Sequence, residues 1–129
     1  VIFLGIGKCI NTGLFKDDLQ NIINNARNHH EYRKTEELSL SSDIKEVCFI
    51  DLSRSYNLEY DEVGRFLSKE ENMFFYPLEK ACEGTRSFEI KYIDLGKITE
   101  MKNPYCIKNT GKVELRIEKD LRESLISIS

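Results

Sequence analysis

The stretch that most constrains this chain is Leu52–Leu67, LSRSYNLEYDEVGRFL, whose apolar and small residues fall at the offsets of a helix, a tight turn and a second helix. Leu52 and Tyr56 lie four apart and so share one helical face. Ser53 is small where a second helix would cross closely, and Asn57 tolerates the left-handed conformation that turns a chain. Leu58 then plugs the angle between the helices. Val63, Phe66 and Leu67 continue the apolar face at spacings of three and four, which leaves Glu59, Asp61, Glu62 and Arg65 on the outer side.

Taken together, Leu52, Ser53, Tyr56, Asn57, Leu58, Val63 and the closing Phe66-Leu67 resemble a helix-turn-helix of the winged-helix superfamily. The likeness departs from the pattern in two places. The turn carries Asn57 where Gly is usual, and the second helix, which in that superfamily reads DNA, is acidic at Glu59, Asp61 and Glu62. A helix that enters the major groove meets a polyanion and normally offers Arg, Lys, Asn or Gln, so three carboxylates near its start oppose docking. The acidic face of Glu59, Asp61, Glu62 and Arg65 is therefore expected to contact a basic protein partner. The resemblance also implies a short strand ahead of the motif, and the apolar run Val47-Cys48-Phe49-Ile50 fits that place.

At 129 residues the chain suits one compact domain, 1–129, with a core that needs neither metal nor disulfide staples. The net charge of −3 argues against a general nucleic-acid coat or a polybasic membrane binder. Cys9, Cys48, Cys82 and Cys106 are dispersed without a C-x-x-C pair, so reduced thiols and an intracellular protein of cytoplasm or nucleus are expected. Val1–Ile10 lacks a basic leader and is broken by Gly5, Gly7 and Lys8, unlike a signal peptide, and no run is long enough to span a membrane. The start at Val1 reads as a domain excised from a longer chain.

In chain order, the β-branched and apolar Val1–Cys9 reads as a buried strand. Its Gly5-Ile6-Gly7-Lys8 lacks the spacing of a phosphate loop and reads as a tight strand end. Asn11 or Thr12 then caps a helix whose Phe15, Leu19, Ile22, Ile23 and Ala26 mark one face. His29 and His30 point about 100° apart on a helix, which excludes the one-face ligand pair of a helical metal site. Glu36–Ser42 reads as a loop. Met73–Tyr76 is an aromatic core segment, and Pro77 opens a short helix ended by Gly84. Ser87–Leu95 and Lys112–Lys119 alternate as strands and are expected to pair as a hairpin.

Two further site candidates follow. Glu89 and Lys91 form the E-x-K pattern that some metal-dependent nucleases place on one strand beside Mg²⁺, with Asp51 as the nearest acidic partner, though Asp51 is better placed as a helix cap. The connection Gly96–Gly111 carries Lys97, Lys102 and Lys108, with Lys112 just after. It reads as a basic hairpin loop for phosphate contacts, with Tyr105 able to stack on an unpaired base. No catalytic motif, cofactor motif or metal-ligand set is otherwise apparent, so the chain reads as a non-catalytic regulatory or interaction module. The expected fold is α+β: helices with a helix-turn-helix-like centre, packed on a small antiparallel sheet.

Overall fold

The computed structural model describes residues 2–129, with side chains described from residue 11 onward. One long helix, α1 (Ile2–Arg27), packs against antiparallel strands. The strands are β1 (Tyr32–Ser39), β2 (Glu46–Phe49), β3 (Met73–Tyr76), β4 (Ser87–Phe88), β5 (Tyr105–Lys108), β6 (Lys112–Lys119) and β7 (Ser127–Ile128). They form a three-stranded sheet in the order β1-β6-β7 and a four-stranded sheet in the order β4-β3-β2-β5. Two short helices, α2 (Asp61–Phe66) and α3 (Leu95–Ile98), complete the α+β fold.

The expected face of α1 is the buried one: Phe15, Leu19, Ile23 and Ala26 are inaccessible to solvent or nearly so. They meet Val47, Phe49, Met73 and Phe75 of β2 and β3, and Val113, Leu115 and Ile117 of β6, in one apolar cluster. Phe15 meets Phe75 edge to face at 5.6 Å. A second cluster lies on the opposite face of the four-stranded sheet, where Cys48, Ile50 and Phe74 meet Val63 and Leu67 from the α2 side. Burial on both faces explains why β2 and β3 read as continuous apolar runs, whereas β6, covered on one face, alternates.

Several local expectations are corrected. Residues 2–9, read as a strand, are the first turns of α1, and Val1 lies outside the described residues. The helix runs on through Asn11 and Thr12, so neither caps it; Asn11 Oδ1 instead accepts from Ser41 N–H at 2.5 Å. The presumed loop at Glu36–Ser42 supplies the end of β1. Its partner is β6, in the register Thr35↔Arg116, so β6 does not pair with Ser87–Leu95. Only Ser87 and Phe88 of that segment are strand, and they pair with β3. Gly96–Gly111 is no open loop, because it contains the end of α3 and all of β5.

Leu52–Leu67 does not form two helices. Leu52–Asn57 is turn and irregular chain, Leu58–Tyr60 is a single 3₁₀ turn, and α2 follows with one short helix. Leu58, expected to plug an interhelical gap, is 82% exposed. The reason lies in side chains from elsewhere. Asn103 donates through Nδ2 to Asp51 O and Ser55 O, while its Oδ1 accepts from Asp51 N–H. Arg54 reaches Thr99 O and Oγ1 at 2.8 and 2.6 Å. The Asn103 bonds satisfy backbone groups of Asp51 and Ser55 without helical ones, while the Arg54 side chain ties the segment to the end of α3.

The expectation of reduced thiols is also overturned. Cys48 and Cys106 are direct partners in the β2–β5 register and form a disulfide. Cys82 is disulfide-bonded as well.

An acidic-rimmed cleft as candidate functional site

Asn57 opens the outer surface of the second cluster. Its Oδ1 accepts from Glu59 N–H at 3.0 Å and caps the 3₁₀ turn, which aims Glu59 outward. Behind the turn, the Tyr60 ring packs on Phe74 and Tyr76 at 5.9 and 5.1 Å between centroids. The α2 helix then presents Val63 inward, while Phe66 remains 48% exposed.

Between α2 and the segment leaving β3 lies a cleft of about 320 Å³. Its floor is Val63, Phe66, Tyr76, Pro77 and Leu78, and its rim holds Glu59, Glu62 and Glu79. None of these three carboxylates has an ion-pair partner among the described residues. Among the described residues the cation at the rim is Arg86, whose guanidinium lies 5.8 Å from the Phe66 ring centroid while its Nε donates to Ala81 O.

A second cleft of about 440 Å³ adjoins it through Glu59. Glu46, Tyr60, Lys102 and Lys108 line it, and the Tyr60 hydroxyl stands 3.6 Å from Cys106 Sγ. Burial first, and then the negative fields of Glu46 and Glu59, push the Tyr60 phenol up to about 12.

The acidic face expected from the sequence is thus split. Glu59 and Glu62 reach the cleft, whereas Asp61 and Arg65 form an ion pair one helical turn apart and do not line it. The cleft residues that sequence reasoning missed are Phe66, assigned to the core, and the run Tyr76–Glu79 with Arg86. Tyr76-Pro77-Leu78-Glu79 does place apolar surface beside a carboxylate, but no spacing signals that the strand order brings it opposite α2.

The basic loop does not converge on one patch. Lys97 pairs with Glu123 at 3.6 Å and Lys112 with Glu37 at 3.7 Å. Lys102 and Lys108 face Glu46 and Glu59 in the second cleft, which offsets their charge. Tyr105 is half-buried and packs against the main core.

Glu89 and Lys91 are exposed and lie beyond β4 rather than within a strand. The Lys91 backbone is held by Gln20, whose Oε1 accepts from Lys91 N–H and whose Nε2 donates to Lys91 O. Asp51 organises its own turn. Burial pushes its carboxyl up, but bonds from Ser53 Oγ, Ser53 N–H and Arg54 outweigh this and hold it below the usual range. Among the described residues the one close group of metal-ligand types is Glu46, Cys48 and Cys106, and its sulfurs are consumed by the disulfide.

No protein-family model, curated protein or solved structure matches this chain. No helix among the described residues is long and apolar enough to cross a membrane.

Proposed function

We propose that this domain is a non-catalytic interaction module that captures a basic segment of a protein partner in the cleft between α2 and Tyr76–Glu79. The observation that carries this reading is the half-exposed Phe66 set among three carboxylates that have no ion-pair partner among the described residues. A Lys or Arg side chain has the matching form, an aliphatic stem that lies along apolar surface and a cationic head that seeks acceptors at its end. The position of Arg86 over Phe66 supports the same chemistry, since it is the contact such a head group would make. Acidic rim charges would also steer a basic partner during encounter. The Cys48–Cys106 disulfide favours an oxidising compartment as the place of that encounter, because such bonds rarely persist in the cytosol.

Fluorescence anisotropy with labelled Lys/Arg-rich peptides tests the reading. Glu59→Lys with Glu62→Lys should weaken binding at least about tenfold, equivalent to about 1.4 kcal/mol, without lowering stability, as both residues are exposed. Asp61→Asn with Arg65→Gln, which leaves the cleft intact, should change affinity little. Equal affinity of the parent and the Glu59/Glu62 variant would remove the proposal.

A further inference from the structure

Among the described residues β6 is the one strand paired with β1, which places β1 at the edge of its sheet. It is eight residues long, YRKTEELS, and mostly exposed. Its hydrogen-bonding directions follow from β6. Arg116 exchanges both backbone bonds with Ser129, beyond the end of β7, so Arg116 points away from β1 and its neighbours Leu115 and Ile117 point toward it. In the β1–β6 register those two face Glu36 and Lys34. The N–H and C=O groups of Arg33, Thr35 and Glu37 therefore point outward. None of them has a hydrogen-bond partner among the described residues. Such an edge is a template for another strand.

The charges along β1 specify which strand. Two copies of β1 running antiparallel about a two-fold axis must set outward-pointing residues opposite one another, which leaves five central registers. Centring on residue 33, 34, 36 or 37 sets Arg33, Lys34, Glu36 or Glu37 against its own copy, a like-charge pair at the axis. Centring on Thr35 sets Arg33 against Glu37, Lys34 against Glu36 and Tyr32 against Leu38. Every charge then meets its opposite, and Tyr32 and Leu38, half-buried on the core face, meet each other. Opposite charges directly across strands stabilise a pair, and like charges destabilise it.

We propose that β1 is a homodimerisation edge, joining two copies of the chain through antiparallel β1–β1 pairing centred on Thr35. The residue pairs 33/37, 35/35 and 37/33 would each exchange two backbone bonds, and two three-stranded sheets become one. Arg33 and Glu37 already form exposed pairs with Asp120 and Lys112, but such surface pairs are weak and can share their charges across the new seam. The proposal is independent of the cleft, which lies on the other sheet.

The test is sedimentation equilibrium over a concentration series on three versions of the whole chain. The parent should dimerise. An all-acidic edge (Arg33→Glu, Lys34→Glu) and an all-basic edge (Glu36→Lys, Glu37→Lys) should each associate at least about tenfold more weakly, that is by about 1.4 kcal/mol. Mixed in equal amounts, the two variants should form a heterodimer, because every opposed pair is again complementary. Recovery on mixing also shows that neither variant has simply lost its fold. A parent that stays monomeric throughout, or a dimer indifferent to either charge change, would overturn the proposal.

Discussion

The Tyr56 ring occupies the space where a side chain at Gly64 would begin: a Cβ there would lie 2.5 Å from Tyr56 Cζ and closer still to its hydroxyl oxygen. Glycine thus lets the irregular 52–57 segment close over α2, the element that carries Glu62 and Phe66. Gly64→Ala should destabilise the domain by about 1–2 kcal/mol, because displacing a packed ring outweighs the gain in helix propensity. With Tyr56→Ala already in place, the same change should instead stabilise by about 0.5–1 kcal/mol, the intrinsic advantage of Ala over Gly. A double-mutant cycle by urea denaturation reads the reversal of sign. If Gly64→Ala has the same effect in both backgrounds, the contact is not what selects glycine.

Asn103 does for the front of that segment what Gly64 does for its back. Its side chain makes three bonds to the backbone of Asp51 and Ser55, and its carbonyl accepts from Asn57 N–H at 2.8 Å. Asn103→Ala keeps the carbonyl and removes the three side-chain bonds, each worth about 0.5–1.5 kcal/mol, so a loss of about 2–3 kcal/mol is expected. Because Asn57 positions Glu59, basic-peptide affinity should fall together with the urea midpoint. Asn103→Asp, which retains the acceptor but turns a carboxylate oxygen toward Asp51 O and Ser55 O, should cost at least as much as Ala.

The same residues show what the sequence could and could not disclose. Phe15, Leu19, Ile23 and Ala26 announced the buried face of α1 because a helix repeats locally, and Val113, Leu115 and Ile117 announced the inner face of β6 by alternation. Strand β1 was hidden, since Arg33, Lys34, Glu36 and Glu37 satisfy the needs of an exposed edge and leave no apolar alternation to read. Leu52–Asn57 looked helical because its spacing was helical. The bonds that decide its shape come from Thr99 and Asn103, more than forty residues away. Half of the cleft was legible in Glu59 and Glu62. Its other wall, Tyr76–Glu79, is set by strand order, which spacing within a segment does not encode.

The Cys48–Cys106 bridge was invisible for the same reason, as only the β2–β5 register brings two cysteines 58 residues apart into opposition. Closing a loop of that length restricts the unfolded chain by up to about 4 kcal/mol in the chain-entropy account. Cys48→Ala with Cys106→Ala should therefore lower unfolding free energy by about 2–4 kcal/mol. The folded sheet should persist, because the β2–β5 backbone bonds do not depend on sulfur. Denaturation of the parent with and without dithiothreitol, beside the double variant, checks this. Because dithiothreitol also opens the Cys82 disulfide, the parent and the double variant should nearly coincide when both are reduced, and an untreated variant as stable as the oxidised parent would contradict the assignment.

Tyr60 links the disulfide to the cleft, and its titration gives a signature at alkaline pH. The phenol is raised from an ordinary 10.0 to about 12, first by burial and then by Glu46 and Glu59. Between pH 10 and about 12 the unfolded chain releases this proton and the folded chain keeps it, so the unfolded state binds fewer protons and stability must fall as pH rises. Below pH 10 both states are protonated and the group adds no pH dependence. Phenolate absorbance of the native protein should show a late component that Tyr60→Phe removes, and the same change should flatten the loss of stability across that window. Glu59→Gln should move the late component downward by removing one of the negative fields, while the burial contribution, the largest cause, persists. A late component that survives Tyr60→Phe would assign it to another tyrosine and break the link between Glu59 and the aromatic wall beneath the cleft.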